Sequence, residues 1–82
     1  MTLARARHLA QEWSGYEVSD AGDCGGKWVF GFKEFKEGFG GLVVLVDKKS
    51  GECEGLSSAE FMYSLIEGSI TYKRVDLPKE EP

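Results

Sequence analysis

One histidine, two cysteines and a scatter of carboxylates are the side chains in this 82-residue chain that could do chemistry. His8 falls in a helical stretch with no Ser, Cys or Asp beside it in a nucleophile context. A Cys-His pair would require Cys24 or Cys53 to be brought to it across the fold. Zinc takes four ligands at characteristic spacing, and one histidine with two distant cysteines does not make that set. Gly38-Phe39-Gly40-Gly41 has the composition of a phosphate loop. Such a loop opens a helix and supplies Lys-Ser or Lys-Thr, whereas here Leu42 opens a strand. The sequence therefore predicts no catalytic residue, no cofactor and no metal: not an enzyme.

The carboxylates point to binding instead. Glu52 and Glu54 stand at i and i+2 and share one strand face, with Cys53 turned to the other. Asp20, Asp23, Glu34 and Glu37 fall on turns or polar strand faces, where a fold has little other use for them. These six, with Phe39 as an aromatic anchor on a glycine-rich loop, are the candidate partner-binding residues. The formal net charge is −4, and the ten basic residues form no run longer than Lys48-Lys49 or Lys73-Arg74. That distribution disfavours nucleic acid, which needs a basic stripe, and suits a basic protein partner reached by electrostatic steering.

No apolar run approaches the roughly 18 residues of a membrane span; the longest is Leu42–Val46. Arg5, Arg7 and His8 interrupt the first ten residues, so no signal-peptide core is read there. The expectation is a cytoplasmic protein with Cys24 and Cys53 reduced, one disulfide between them being the alternative in an exported chain.

The elements that must position these residues follow from periodicity. Thr2 caps a first helix whose Leu3, Ala6, Ala10 and Trp13 share one face, with Gly15 as its stop. Tyr16 and Val18 alternate as a short strand, and Asp20 to Gly26 reads as a turn region with Gly25-Gly26 at a tight hairpin. Trp28, Phe30 and Phe32 share one face of a strand, Lys27, Val29, Gly31 and Lys33 the other. Lys36 to Gly41 is a second turn region. Leu42–Val46 is unbroken and predicts the central strand. Asp47 to Gly51 turns into a strand at Glu52-Cys53-Glu54. Ser57 and Glu60 then form a capping box, with Leu56 and Phe61 as its hydrophobic staple. Phe61, Met62, Leu65 and Ile66 make the predicted buried stripe of this second helix, which Gly68 ends. Ile70 and Tyr72 suggest a last strand or extended arm. The prediction is one α+β domain over 1–77, in the order α-β-β-β-β-α with an optional final β, and a flexible charged tail at 78–82. Both helices are expected on one face of an antiparallel sheet of about four strands, covering Trp28, Phe30 and Phe32.

An N-terminal helix, a Trp-x-Phe-x-Phe strand (Trp28, Phe30, Phe32), an apolar strand running into Val46-Asp47-Lys48-Lys49-Ser50-Gly51-Glu52 and a following helix resemble the immunity protein 35 family of bacterial polymorphic-toxin systems. Small heat-stable chaperone-like proteins belong to the same family. The resemblance spans roughly Leu3 to Ile66. It implies a cytosolic protein that binds and neutralises a toxin made by the same cell. The family has no diagnostic catalytic motif, so no residue role is carried over. A chaperone-like or regulatory domain without a single partner, and a small peptidase-inhibitor-like domain, are the competing readings.

Overall fold

The computed structural model describes residues 1–35 and 41–77. The element order is α1 (Leu3–Ser14), β1 (Val18–Asp23), β2 (Lys27–Phe32), a 3-10 turn (Lys33–Phe35), β3 (Leu42–Asp47), β4 (Cys53–Ser57), α2 (Ser58–Glu67) and β5 (Lys73–Val75). The strands form one sheet in the order β4-β3-β2-β1-β5, antiparallel at every step. The α+β class and the antiparallel sheet agree with the sequence reading, with five strands in place of about four. Most of the second turn region and the 78–82 tail lie outside the described residues.

Local chemistry fixes the ends of these elements. The Thr2 hydroxyl accepts from the Arg5 N–H, and Gly15 closes α1 at φ 80°, the left-handed conformation glycine adopts without a Cβ penalty. The capping box of α2 forms as its sequence requires: the Ser57 hydroxyl accepts from the Glu60 N–H, and the Glu60 carboxylate accepts from the Ser57 N–H. Gly25-Gly26 makes the β1–β2 hairpin, closed by the Cys24 N–H on the Lys27 carbonyl. In the β3–β4 turn Asp47 accepts from the Lys49 and Ser50 N–H groups at 2.8 and 2.9 Å.

The placement of the helices departs from expectation. α1 lies on the face formed by Phe30, Phe32, Val44 and Val46, where its Ala6 and Ala10 are fully buried. α2 lies on the opposite face, where Phe61 packs with Val29 and Leu45, flanked by Val43, Leu56 and Leu65. The helices do not share a face, because β2 and β3 are apolar on both sides. The unbroken Leu42–Val46 run sends Val44 and Val46 one way and Val43 and Leu45 the other. Each set must be removed from water. A single layer of helices would leave one set exposed.

Three further expectations are corrected. Trp28 is only half-buried, at the end of the α1 face, with the Lys48 ammonium 5.1 Å from its ring centroid. Trp13 is 54 % exposed, although its ring edge reaches over Gly55 at the sheet edge. The segment Asp20–Asp23, read as turn, is strand: Ala21 is buried and Gly22 packs beneath the Tyr72 ring.

These packing assignments separate two substitutions of similar apolar size. Phe30, fully buried against α1, should cost about 3–5 kcal/mol on replacement by Ala. Ile66→Ser should change stability by no more than about 0.5 kcal/mol, because Ile66 projects from α2 into solvent. Urea denaturation of the two variants reads both values.

Candidate functional site

α2 emerges directly from β4, since Ser57 is both the last residue of that strand and the helix N-cap. The Ser58 hydroxyl and N–H both donate to the Gly41 carbonyl, pinning the first turn to the start of β3. The helix therefore covers the β3–β4 side of its face and leaves the β1–β2 side open. Phe61 and Leu65 turn inward. Met62, Tyr63 and Ile66, of which Met62 and Ile66 were expected in the buried stripe, are 55 %, 63 % and 79 % exposed. At 100° per residue the apolar arc from Phe61 through Met62 and Ile66 to Tyr63 spans about 200° of the helix circumference. A surface helix needs only about 100° to face a core, so half of this arc is left uncovered by the described residues.

On the open side a groove of about 330 Å³ runs between α2 and the Tyr72 ring, over Gly22 and Gly31. Its floor exists because these two residues lack side chains. A Cβ on Gly22 would overlap the Tyr72 ring, and one on Gly31 would overlap the Asp20 carboxylate. Tyr72 meets Phe61 edge-on, ring centroids 6.0 Å apart, so ring and helix brace each other across the groove. Burial, followed by the nearby Asp20 charge, pushes the Tyr72 hydroxyl pKa up.

Asp20 reaches this face through a β-bulge. Val18 pairs with Phe32, but Asp20 pairs with Gly31, so Ser19 is an extra residue in β1. Val18 and Ala21 thereby both point into the α1 core, while Asp20 is turned to the opposite face. Bulges commonly re-aim a side chain in this way.

The other predicted site residues scatter. Asp23 ends β1, where it accepts from the Lys48 ammonium and the Gly25 N–H, each at 2.8 Å. Lys48 first, and then the Gly25 N–H, hold its carboxyl below the ordinary 3.8. Glu54, on edge strand β4, is 3.5 Å from Lys27. Three strand spacings, about 14 Å, separate the strands carrying Asp20 and Glu54. Glu34 is exposed on the 3-10 turn, and Glu52 is exposed just before β4. Glu37 and Phe39 lie outside the described residues. The acidic residues do not converge on one patch. Asp23 and Glu54 are paired with Lys48 and Lys27 across the two hairpins, and Asp20 alone of the described members faces the groove.

The remaining reactive groups are turned to structure. His8 lies 2.8 Å from Glu12 on the exposed side of α1. Cys24 and Cys53 are free and pack on opposite faces of the sheet; burial pushes both thiols up, away from the reactive thiolate. Among the described residues no group of three His, Cys, Asp or Glu side chains could hold a metal ion, and no helix is long and apolar enough to cross a membrane.

Sequence reasoning passed over Met62, Tyr63, Ile66 and Tyr72 as surface residues. The signal available for three of them was an apolar arc on α2 wider than one sheet face can cover. No protein-family model, no curated protein and no solved structure matches this chain.

The Asp23–Lys48 pair gives a pH dependence of known sign. A carboxyl held below its ordinary value when folded contributes stability that is full above that value and lost as pH falls through the folded pKa. Asp23→Asn should therefore lower Tm at pH 6, and the gap to the unmodified protein should close progressively below pH 3.8. Calorimetry between pH 2 and 6 measures it.

Proposed function

We propose that this domain works by binding a protein partner on the α2 side of its sheet, without catalysis of its own. Its specific role in this reading is that of a cytoplasmic immunity protein that holds a toxin domain inactive. The observation that carries the reading is the outward half of the α2 arc: Met62, Tyr63 and Ile66 stand side by side in solvent on a helix whose inner half already completes the core. Contiguous exposed apolar residues beside a groove are the usual mark of an interaction site, and aromatic anchors such as Tyr63 concentrate binding energy. The net charge of −4 supports a basic partner. The non-catalytic part rests on the reactive groups, since His8 is taken by a helical neighbour and both thiols are held protonated. The immunity role rests on the resemblance of the Trp28–Phe32 strand, the Val46–Glu52 turn and the flanking helices to immunity protein 35.

The double variant Tyr63→Ser/Ile66→Ser should keep the Tm of the unmodified protein within a few degrees and lose the partner. Affinity capture with both proteins tests this. One stoichiometric partner retained by the unmodified chain and lost by the variant supports the reading. Many weak partners would favour a chaperone-like domain, and capture unaffected by the variant would remove α2 from the interface. The immunity role further requires that expressing the chain protect cells from a toxin encoded beside it.

A further inference from the structure

Glu34, Glu52, Glu67 and Asp76 are, like Asp20, carboxylates with no ion pair among the described residues, but Asp20 is the one that lines the groove. Glu12, Glu17, Asp23 and Glu54 each lie against a histidine or lysine of this chain, and Asp47 is occupied by two turn N–H groups. Asp20 has no ion-pair partner among the described residues; its one side-chain hydrogen bond is accepted from the hydroxyl of adjacent Ser19 at 3.3 Å. It is nevertheless placed with care. The bulge at Ser19 turns it onto the α2 face, and the missing side chain at Gly31 leaves room for the carboxylate to lie flat over the next strand.

Asp20 is itself exposed, at a groove whose other lining residues, Ser19 and Ser58 apart, are apolar and aromatic. Across the Gly22–Gly31 floor stand Phe61, Leu65 and Met62, and the Tyr72 ring closes one side. Arg74, opposite Gly22 on β5, stands near Tyr72 on this face, and among the described residues no ion pair joins it to Asp20. A groove with an aliphatic wall, an aromatic ring and one carboxylate at its end matches a long side chain that is apolar along its stem and cationic at its tip. The planar guanidinium suits this groove better than an ammonium, since it can hydrogen-bond a carboxylate with two N–H groups while stacking on an aromatic ring. The second hollow on this face, beside Cys24 and Leu45, lacks that property because its carboxylate, Glu54, already faces Lys27.

We propose that the groove is the specificity pocket of the binding surface and takes an arginine side chain of the partner, with its guanidinium on Asp20 and its methylene stem along Phe61, Leu65 and Tyr72. The biological occupant rests on the protein-binding reading above; the selectivity of the groove itself is a property of this chain alone and can be measured without a partner.

The probes are N-acetyl-argininamide and its neutral isostere N-acetyl-citrullinamide, titrated into the ¹⁵N-labelled full chain at low salt. The arginine probe should shift the Gly22, Gly31 and Tyr72 amides and bind about threefold to fivefold more tightly than citrulline. Added salt should narrow that preference. Asp20→Asn should abolish it while the rest of the spectrum stays in place, and Asp20→Ser should do the same should the amide introduce contacts of its own. Equal affinity for the two probes, or shifts confined to other parts of the sheet, would overturn the assignment. Arginine selectivity in a chain that captures no protein would leave the pocket standing and remove the protein-binding reading. A captured partner whose affinity survives Asp20→Asn would do the reverse.

Discussion

The fold hangs on the two apolar faces of a single strand. Leu42–Val46 places Val44 and Val46 against α1 and Val43 and Leu45 against α2, and β2 repeats the division with Phe30 on one side and Val29 on the other. A chain of this length has surface in excess of core. It nevertheless has to cover a sheet twice with two helices of 12 and 10 residues. α1 achieves this on its own side with two alanines that let the helix backbone approach closely. α2 does not, because it starts at the outer edge of the sheet and is anchored there by Ser57 and Ser58. The half-covered face is a result of that geometry, and the groove and the exposed helix arc both follow from it.

Much of this architecture was legible in the residues. Thr2 and Gly15, the Ser57–Glu60 box and Gly68 mark both helices, and Gly25-Gly26 marks its hairpin, because caps and tight turns are set by side chains within a few positions. What could not be read depends on contacts between distant segments. Met62 and Ile66 fit the period of a helix stripe as well as Leu65 does, and only the position of α2 relative to β3 decides which of them is buried. The unbroken Leu42–Val46 run predicts the central strand, whereas the centre of the five is β2 with β3 beside it; a run apolar on both faces demands cover on both sides, and that demand places α2 opposite α1.

β1 shows a different obstacle. Its Asp20-Ala21-Gly22-Asp23 composition favours turns, and its apolar residues Val18 and Ala21 are three apart, which matches no strand period. The bulge at Ser19 restores the match in three dimensions by absorbing one residue. In the sequence Asp20 is a candidate only as an acidic residue in a stretch of turn-forming composition. Its actual distinction, a carboxylate turned onto the face opposite Val18, comes from that extra residue. The acidic set as a whole was legible only as composition, since pairing with Lys27 and Lys48 removed two of its members from the available surface.

The sheet order has a mechanical consequence for the groove. β1 to β4 form a meander in which each strand lies beside its successor, so most of the sheet can assemble from short-range pairings. β5 is the exception. It crosses from α2 to the far edge and joins β1 through three residue pairs, Ala21–Val75, Gly22–Arg74 and Asp23–Lys73, between opposite ends of the chain. Local opening requires least free energy where few contacts are broken, and this edge has the fewest. The Tyr72 wall directly precedes that edge strand, so opening of β5 would uncover Gly22 and widen the groove, at the loss of Val75 and Leu77 from the α1 core and of the Tyr72 contact with Phe61. The groove thus has a floor set in the well-paired β1–β2 hairpin and one wall carried on the least-paired edge of the sheet.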